Sequence, residues 1–453
     1  MSRTFREWSP EQTWMFPPSP QDWLPENHLV YFLMDVSTQL DLSPIVASYD
    51  SEQGGQPPYH PRMMLVLLLY SYCIGVFSSR KIAARCETDV AFRVIVGETI
   101  PDFRTMSEYR RRHLEQFQQL FVEVLRLCQE SGLLKVGRLA LDGTKIKANA
   151  SRHKAMSYDR MTTDELRLQA EIAELLKQAQ ATDAAEDREH GRDQRGDELP
   201  AELARREQRL EKIREAKAAL EQQAREAAMV DAAERAAAGK SPPKIDPQDA
   251  VPEPKAQRNF TDPESKIMKT SNKGWDQCGN AQAVVNEDQI IVTADVTNQA
   301  NDVRQVAPML DQTVANLDAI GIESNIGVFL ADAGYFSEAN VVLLDEHERV
   351  NEPLIATGRL KHNEQVPAAP QGRCPKGLSV KEKMARKLRT KRGRAHYARR
   401  KAIVEPVFGQ IKHGRGFRQF LLRSLAKMKA EWNLVCLTHN LLKLFRSGAF
   451  AAT

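Results

Sequence analysis

Three carboxylates stand apart from the other acids of this chain by their surroundings: Asp142 in LALDGTKIKANA, Asp332 in VFLADAGYF and Glu405 in RKAIVEPVFGQIKHG. The two aspartates each end an apolar, strand-like run, and strand ends are where an α/β sheet delivers side chains into the crevice beyond its edge. Around Glu405, Ile403, Val407, Phe408 and Ile411 recur at helical spacing, which buries one helix face and leaves Lys401, Glu405 and Lys412 close to one outward stripe. Two aspartates and a glutamate are the set that phosphodiester cleavage assisted by two metal ions requires. Mg²⁺ is a hard ion that takes a few carboxylates and completes its shell with water and phosphate oxygens. A carboxylate shared between two such ions holds them about 3.5 to 4 Å apart, one activating the nucleophile and one steadying the leaving oxygen. Bases nearby bind the polyanion and temper the repulsion among clustered acids. Plainer readings exist for each acid: an Asx turn for Asp142 and for Asp332, and an i−4 surface ion pair with Lys401 for Glu405.

The charge distribution supports a polyanionic partner. Net charge is only +4 over 453 residues, yet from Arg373 to Lys401 a dense run of lysines and arginines is opposed by Glu382 alone. Such density suits successive phosphates of nucleic acid, each contact adding to a salt-dependent affinity; the alternative is a solvated loop. Arg400, Lys401, Lys412 and Lys145 are the candidates for DNA contacts near the acids, while Asn280, Asp302 and Tyr335 are open between structural and functional roles. Trp432 and His439 read as packing residues of a closing helix.

The elements that must position these groups follow from pattern. Residues 1–135 read as helices, with MMLVLLLYSYCIGVF a buried one rather than a membrane span, since no stretch reaches transmembrane length. In TMSEYRRRHLEQF a capping box pairs Thr105 with Glu108. A short helix, a polar break and a helix carrying Arg110 and Arg111 are compatible with a helix-turn-helix-like DNA reader or with an ordinary bundle. From Gly137 the pattern changes to short strands interleaved with helices, including two strands around an Asn-Glu-Asp turn in NAQAVVNEDQIIVTADVTN, which predicts an α/β core with a mixed sheet. Domain boundaries are expected at 1–135, 136–160, 161–258 and 259–453: a helical DNA-binding unit, the first part of the core, an insert, and the rest of the core with basic C-terminal helices. The insert is rich in Ala, Glu, Lys, Arg and Leu, as long surface helices are, turns through ATDAAEDREHGRDQRGDELP, and ends in a Pro-rich linker. Its role is open between dimerisation arm, DNA-contacting arm and spacer. Six scattered cysteines without CxxC spacing argue against a zinc site or disulfide framework and fit a reducing compartment.

Read together, HPRMMLVLLLYSY, TIPDFRTMSEYRRRH, LALDGTKIKANAS, TDPESKIMKT, NAQAVV, ADAGYFSEAN and VEPVFGQIK resemble stretches of the DDE transposases of bacterial insertion sequences, in particular insertion-sequence family eleven-eighty-two, related to families four and five. The resemblance implies an RNase H-like catalytic core. It also implies a DNA transposase that cuts at the terminal inverted repeats of its element and joins the 3′-hydroxyl ends to target DNA. It makes Asp142, Asp332 and Glu405 the catalytic and metal-binding triad, with Mg²⁺ as cofactor and Mn²⁺ as a substitute. Double-stranded DNA is the implied partner, with a homodimer in the DNA complex and a cytoplasmic, nucleoid-associated location. The related families carry Tyr, two residues, Arg, three residues, Glu, six residues, Lys. Here Glu405 and Lys412 keep that spacing, while Lys401 and Ala398 stand in the Arg and Tyr positions, with Tyr397 one residue early. A catalytically inactive, repurposed DNA-binding protein and a metal-dependent nuclease without strand transfer are the alternatives.

Overall fold

A computed structural model describes residues 19–49, 57–190, 201–237, 239–270, 274–358 and 368–450. The N-terminal part is helical: α1 (Leu29–Gln39), α2 (Ser43–Ala47), α3 (Pro61–Cys73), α4 (Ser79–Thr88), α5 (Val90–Val96), α6 (Phe103–Arg112) and α7 (Gln116–Glu130). Apolar on nearly every side, α3 is an interior helix, buried from Met64 to Cys73, as its composition predicts. Two breaks depart from the expected pattern. Asp89 ends α4 and caps α5 by accepting the Ala91 N–H at 3.0 Å, which divides a continuous apolar rhythm into two short helices. At α6 the cap is Asp102, which accepts the Arg104 N–H at 2.7 Å, so Thr105 lies inside the helix and its expected capping box does not form.

β1 (Arg138–Lys147) opens the core. It is followed by β2 (Ala155–Ser157), the long helices α8 (Tyr158–His190) and α9 (Ala201–Ala237), β3 (Gln257–Asn259) and β4 (Lys266–Lys269). The first half of the expected inter-helix turn, residues 181–190, belongs to α8; the second half lies outside the described residues. α8 and α9 form a hairpin with a small core of Met161, Leu168, Leu210, Ile213, Ala216 and Leu220. Its ends are tied by antiparallel pairing of β2 with β3 and by the Tyr158 N–H donating to Ala256 O at 2.8 Å. The chain therefore leaves the core and returns at one place.

The remainder runs β5 (Trp275–Asn286), β6 (Ile291–Thr297), α10 (Val306–Ala319), β7 (Val328–Ala331), α11 (Glu338–Glu346), β8 (Pro353–Ile355), α12 (Val380–Arg389), α13 (Lys391–Gly409) and α14 (Leu425–Ser447). The main sheet has the order β4-β5-β1-β7-β8 with β6 also beside β5. β5 is antiparallel to β1, and β7 and β8 are parallel. This mixed sheet is consistent with the expected RNase H-like core. Trp432 and His439 are buried in α14, as expected. No described helix is long and apolar enough to cross a membrane.

One apolar core joins the N-terminal helices to the sheet, and α14 is its axis. On one side α14 meets β5, the Trp432 indole N–H donating to Gln282 O at 2.9 Å, and β6, where Asn440 accepts the Ile291 N–H at 2.9 Å. On the other it meets α3 and α7. There Glu431 accepts from the Tyr72 hydroxyl at 3.3 Å, and Arg110 donates to that hydroxyl at 2.9 Å and to Phe77 O at 3.1 Å. Arg110 is 5% exposed. It is a buried cation whose guanidinium is bonded inside the fold, unlike the surface base that was expected.

Candidate functional site

The expectation that β1 ends at Asp142 is half right. β7 pairs with β1 only as far as Leu141 opposite Ala331, but β5 continues to pair with it through Lys147 opposite Cys278. Asp142 thus sits mid-strand at the point where β1 loses its parallel neighbour, and Asp332 is the first residue beyond the end of β7. The register sets the two aspartates side by side at the open edge. Asp332 also caps the turn that follows, accepting the Gly334 N–H at 2.7 Å, so its carboxylate is oriented by the backbone.

Asp142 is ion-paired. Arg400 on α13 donates to it at 3.0 Å, with only 8% of the arginine side chain and 18% of the aspartate side chain exposed. Its other oxygen accepts the Gly143 N–H at 2.8 Å. Burial pushes the Asp142 carboxyl above its ordinary range and the nearby Asp332 charge adds to that, while Arg400 and the Gly143 N–H pull it back. Tyr397, three residues before Arg400 and beside it, has its hydroxyl pushed up by burial. Arg400 is therefore turned inward, its guanidinium paired with Asp142. The spacing Tyr397-x-x-Arg400 was readable in the sequence, but which of Arg400 and Lys401 turns inward was not.

The opposite face of β1 carries a second polar cluster. Gly143 pairs with Gln282 across the strands, and a Cβ at Gly143 would lie 2.4 Å from Gln282 Nε2 and 3.1 Å from the Tyr335 hydroxyl. Glycine is required there because Tyr335, fully buried, donates to Gln282 Oε1 at 2.5 Å over that spot. Asp302 accepts from Asn280 at 2.6 Å, Gln282 at 3.0 Å and Lys145 at 3.1 Å. Lys145 is thereby held by Asp302, with 18% of its side chain exposed.

Of the rest of the expected set, Lys412 stays with β1 while Lys401 and Glu405 lie on the surface of α13. Lys412, half-buried, donates to Thr144 Oγ1 at 2.9 Å, and burial lowers its pKa. Lys401 and Glu405 are exposed on α13. Five residues separate Arg400 from Glu405, about 140° around a helix, so with Arg400 turned to Asp142 the glutamate faces solvent. Among the described residues no three of His, Cys, Asp and Glu gather closely enough to hold a metal ion. Asp142 and Asp332 supply the hard oxygen donors that Mg²⁺ takes; as arranged, they lack a third acid and share their edge with a guanidinium. The basic run folds as α12 and the first half of α13, with Glu382 closing a capping box on Ser379 and most of the cations on the surface.

Residues 18–112 match a family model described as "Transposase domain (DUF772)", and residues 371–445 match one described as "Transposase DDE domain". No curated protein and no solved structure matches the chain. The second match takes in Arg400 and Glu405; neither reaches Asp142 or Asp332. Both ends of the chain thus carry stretches that match transposase domains.

Proposed function

We propose that this protein is a DNA transposase that cuts at the terminal inverted repeats of its own insertion sequence and joins the 3′-hydroxyl ends to target DNA. The observation that carries the reading is the placement of Asp142 beside Asp332 where β7 ends, in a chain whose two ends match transposase domains. Asp142 and Asp332 are the carboxylates that would hold a divalent ion, Mg²⁺ or in its place Mn²⁺, and Glu405 is the third acid the reading assigns. When bound, such an ion supplies a polarised phosphate and an activated oxygen nucleophile. The chain's own part is to hold two carboxylates at this edge, where the Arg400 charge opposes the effect of burial on Asp142, and to bring duplex phosphates over that edge with the exposed cations of α12 and α13. Double-stranded DNA is the partner, as element end and as target, and a homodimer is the assembly that would hold two ends together.

The test is cleavage and strand transfer on a labelled duplex carrying the gene's own flanks, with Mg²⁺ or Mn²⁺, comparing wild type with Asp142→Asn, Asp332→Asn and Glu405→Gln. Cutting and joining by wild type, with all three variants binding but inert, supports the reading. Binding without cutting by wild type would favour a repurposed DNA-binding protein, and cutting without joining a nuclease. An active Glu405→Gln variant would remove that residue from the set.

A further inference from the structure

Between α4 and α6 lies a surface groove of about 550 Å³, lined by Arg80, Phe103, Arg104, Ser107, Glu108 and Arg111 among others. We propose that this groove binds the phosphate backbone of duplex DNA, an inference that rests on the transposase reading and locates one DNA contact within it.

Charge is the first argument. Three guanidiniums face the groove against one carboxylate, Glu108, which pairs with Arg111. The hydroxyls of Ser78, Ser79 and Ser107 add donors. Order is the second. Arg80 lies 5.2 Å and Arg104 5.5 Å from the centre of the Phe103 ring, so one aromatic side chain holds two guanidiniums in place before a ligand arrives. A binding group already fixed loses less side-chain entropy on association.

Spacing decides the class of ligand. Arg104 and Arg111 are seven residues apart on α6, about 10 Å along the helix axis, a spacing that suits a row of phosphates better than a single one. Duplex DNA presents a charge about every 3.4 Å of axis on each strand, so a 10 Å row of cations meets successive phosphates instead of one. The groove is open and has a single aromatic ring, without an enclosed slot for a base. Those features suit backbone contact and not capture of a free nucleotide. The contrast between neighbours is instructive: Arg110 turns inward to Tyr72 while Arg111 turns outward to the groove.

The experiment is fluorescence anisotropy of the full chain with a labelled 30-base-pair duplex across about 50–300 mM KCl, for wild type, Arg104→Glu and the triple variant Arg80→Ala/Arg104→Ala/Arg111→Ala. Each phosphate contact contributes about 0.9 to the slope of log K against log salt. The triple variant is expected to lose about 2 to 3 units of slope and about 100-fold in affinity near 150 mM. Arg104→Glu, a single exposed change, guards against misfolding of the triple variant and is expected to weaken binding at least 10-fold. Wild-type slope and affinity in Arg104→Glu and in a folded triple variant would overturn the inference and leave the transposase reading standing. Absence of duplex binding by wild type at 50 mM salt would overturn both.

Discussion

Arg110→Met separates a structural cation from a DNA-contacting one, and its cost follows from the contacts. Arg110 donates to the Tyr72 hydroxyl at 2.9 Å and to Phe77 O at 3.1 Å. Through Tyr72 it offsets Glu431, a carboxylate 1% exposed that also accepts the N–H groups of Leu421 at 2.9 Å and Leu422 at 3.1 Å. Methionine fills much of the same volume but leaves a buried carboxylate without a cation, a loss of about 3–5 kcal/mol. At about 2.1 cal/mol/K of unfolding entropy per residue, a chain of 453 residues that melts as a unit would lose about 4 °C in Tm. The pH dependence has a definite sign. Burial holds the Glu431 carboxyl above its ordinary value while Arg110 lowers it. A raised carboxyl favours the folded state fully below its unfolded pKa, and that favour is lost as pH rises through the folded value. Removing Arg110 raises the folded value further, so the variant regains ground in acid. The Tm gap between wild type and Arg110→Met, read by differential scanning fluorimetry, is expected to be smaller at pH 5 than at pH 8. Duplex affinity at 20 °C should keep its wild-type salt slope. A variant with wild-type Tm but a reduced slope would refute the argument and return Arg110 to the DNA surface.

Three further outcomes follow from the site and its supports. Gly143→Ala sets a methyl group 2.4 Å from Gln282 Nε2 and should cost about 1–3 kcal/mol by overpacking, partly recovered by Gln282→Ala in the same chain; a wild-type Tm for Gly143→Ala would show that the space exists. Arg400→Gln leaves Asp142 without its 3.0 Å partner and should cost about 3–5 kcal/mol, whereas Asp142→Asn/Arg400→Gln should lose clearly less than the two single changes together. Additivity within about 0.5 kcal/mol would mean the pair contributes nothing. His439 is pushed down to about 3 by burial, aided by the Arg415 charge. A lowered histidine stabilises the fold above its unfolded pKa and loses that contribution as pH falls, by up to about 1.4 kcal/mol per unit. Between pH 6.5 and 4.5 wild type should therefore lose Tm more steeply than His439→Gln, and parallel profiles would contradict this.

The sheet and the main helices were legible because their signals are local. The four apolar residues before Asp332, the turn between β5 and β6, and the helical compositions of the insert each need only a short window. What was lost depends on partners far away in the chain. β1 runs past Asp142 because β5, more than 130 residues later, pairs with its second half; nothing within LALDGTKIK says so. Helix breaks at Asp89 and after Arg112 interrupt an unbroken apolar rhythm, so periodicity joins what capping divides. Adjacent bases were the hardest to assign. Arg110 and Arg111, or Arg400 and Lys401, differ by one residue and about 100° of helix rotation, and only the position of Glu431 or Asp142 decides which turns inward. A rotation of about 140° from Arg400 leaves Glu405 on the solvent side.

Those inward arginines give the fold a consequence for how a duplex would be presented. α6 forms one wall of the basic groove and carries Arg110 on its other side, bonded to Tyr72 of α3, which bonds to Glu431 of α14. One residue further along α14, Trp432 donates to Gln282 O in β5, and Gln282 pairs with Gly143, the neighbour of Asp142 in β1. The links from Arg110 to Gln282 are buried, and buried polar links have few alternative geometries because an unmet hydrogen bond there costs about 1–3 kcal/mol. The groove and the paired aspartates are thus connected through one continuous core. Tyr72→Phe would loosen that connection, keeping the ring while removing the hydroxyl that Arg110 and Glu431 share. Because neither the groove nor the acids are touched, duplex affinity should hold while the position of cleavage relative to the bound end becomes less uniform on a sequencing gel. Cleavage sites as sharp as wild type in a Tyr72→Phe protein of lowered Tm would show that the connection is maintained by the apolar core alone.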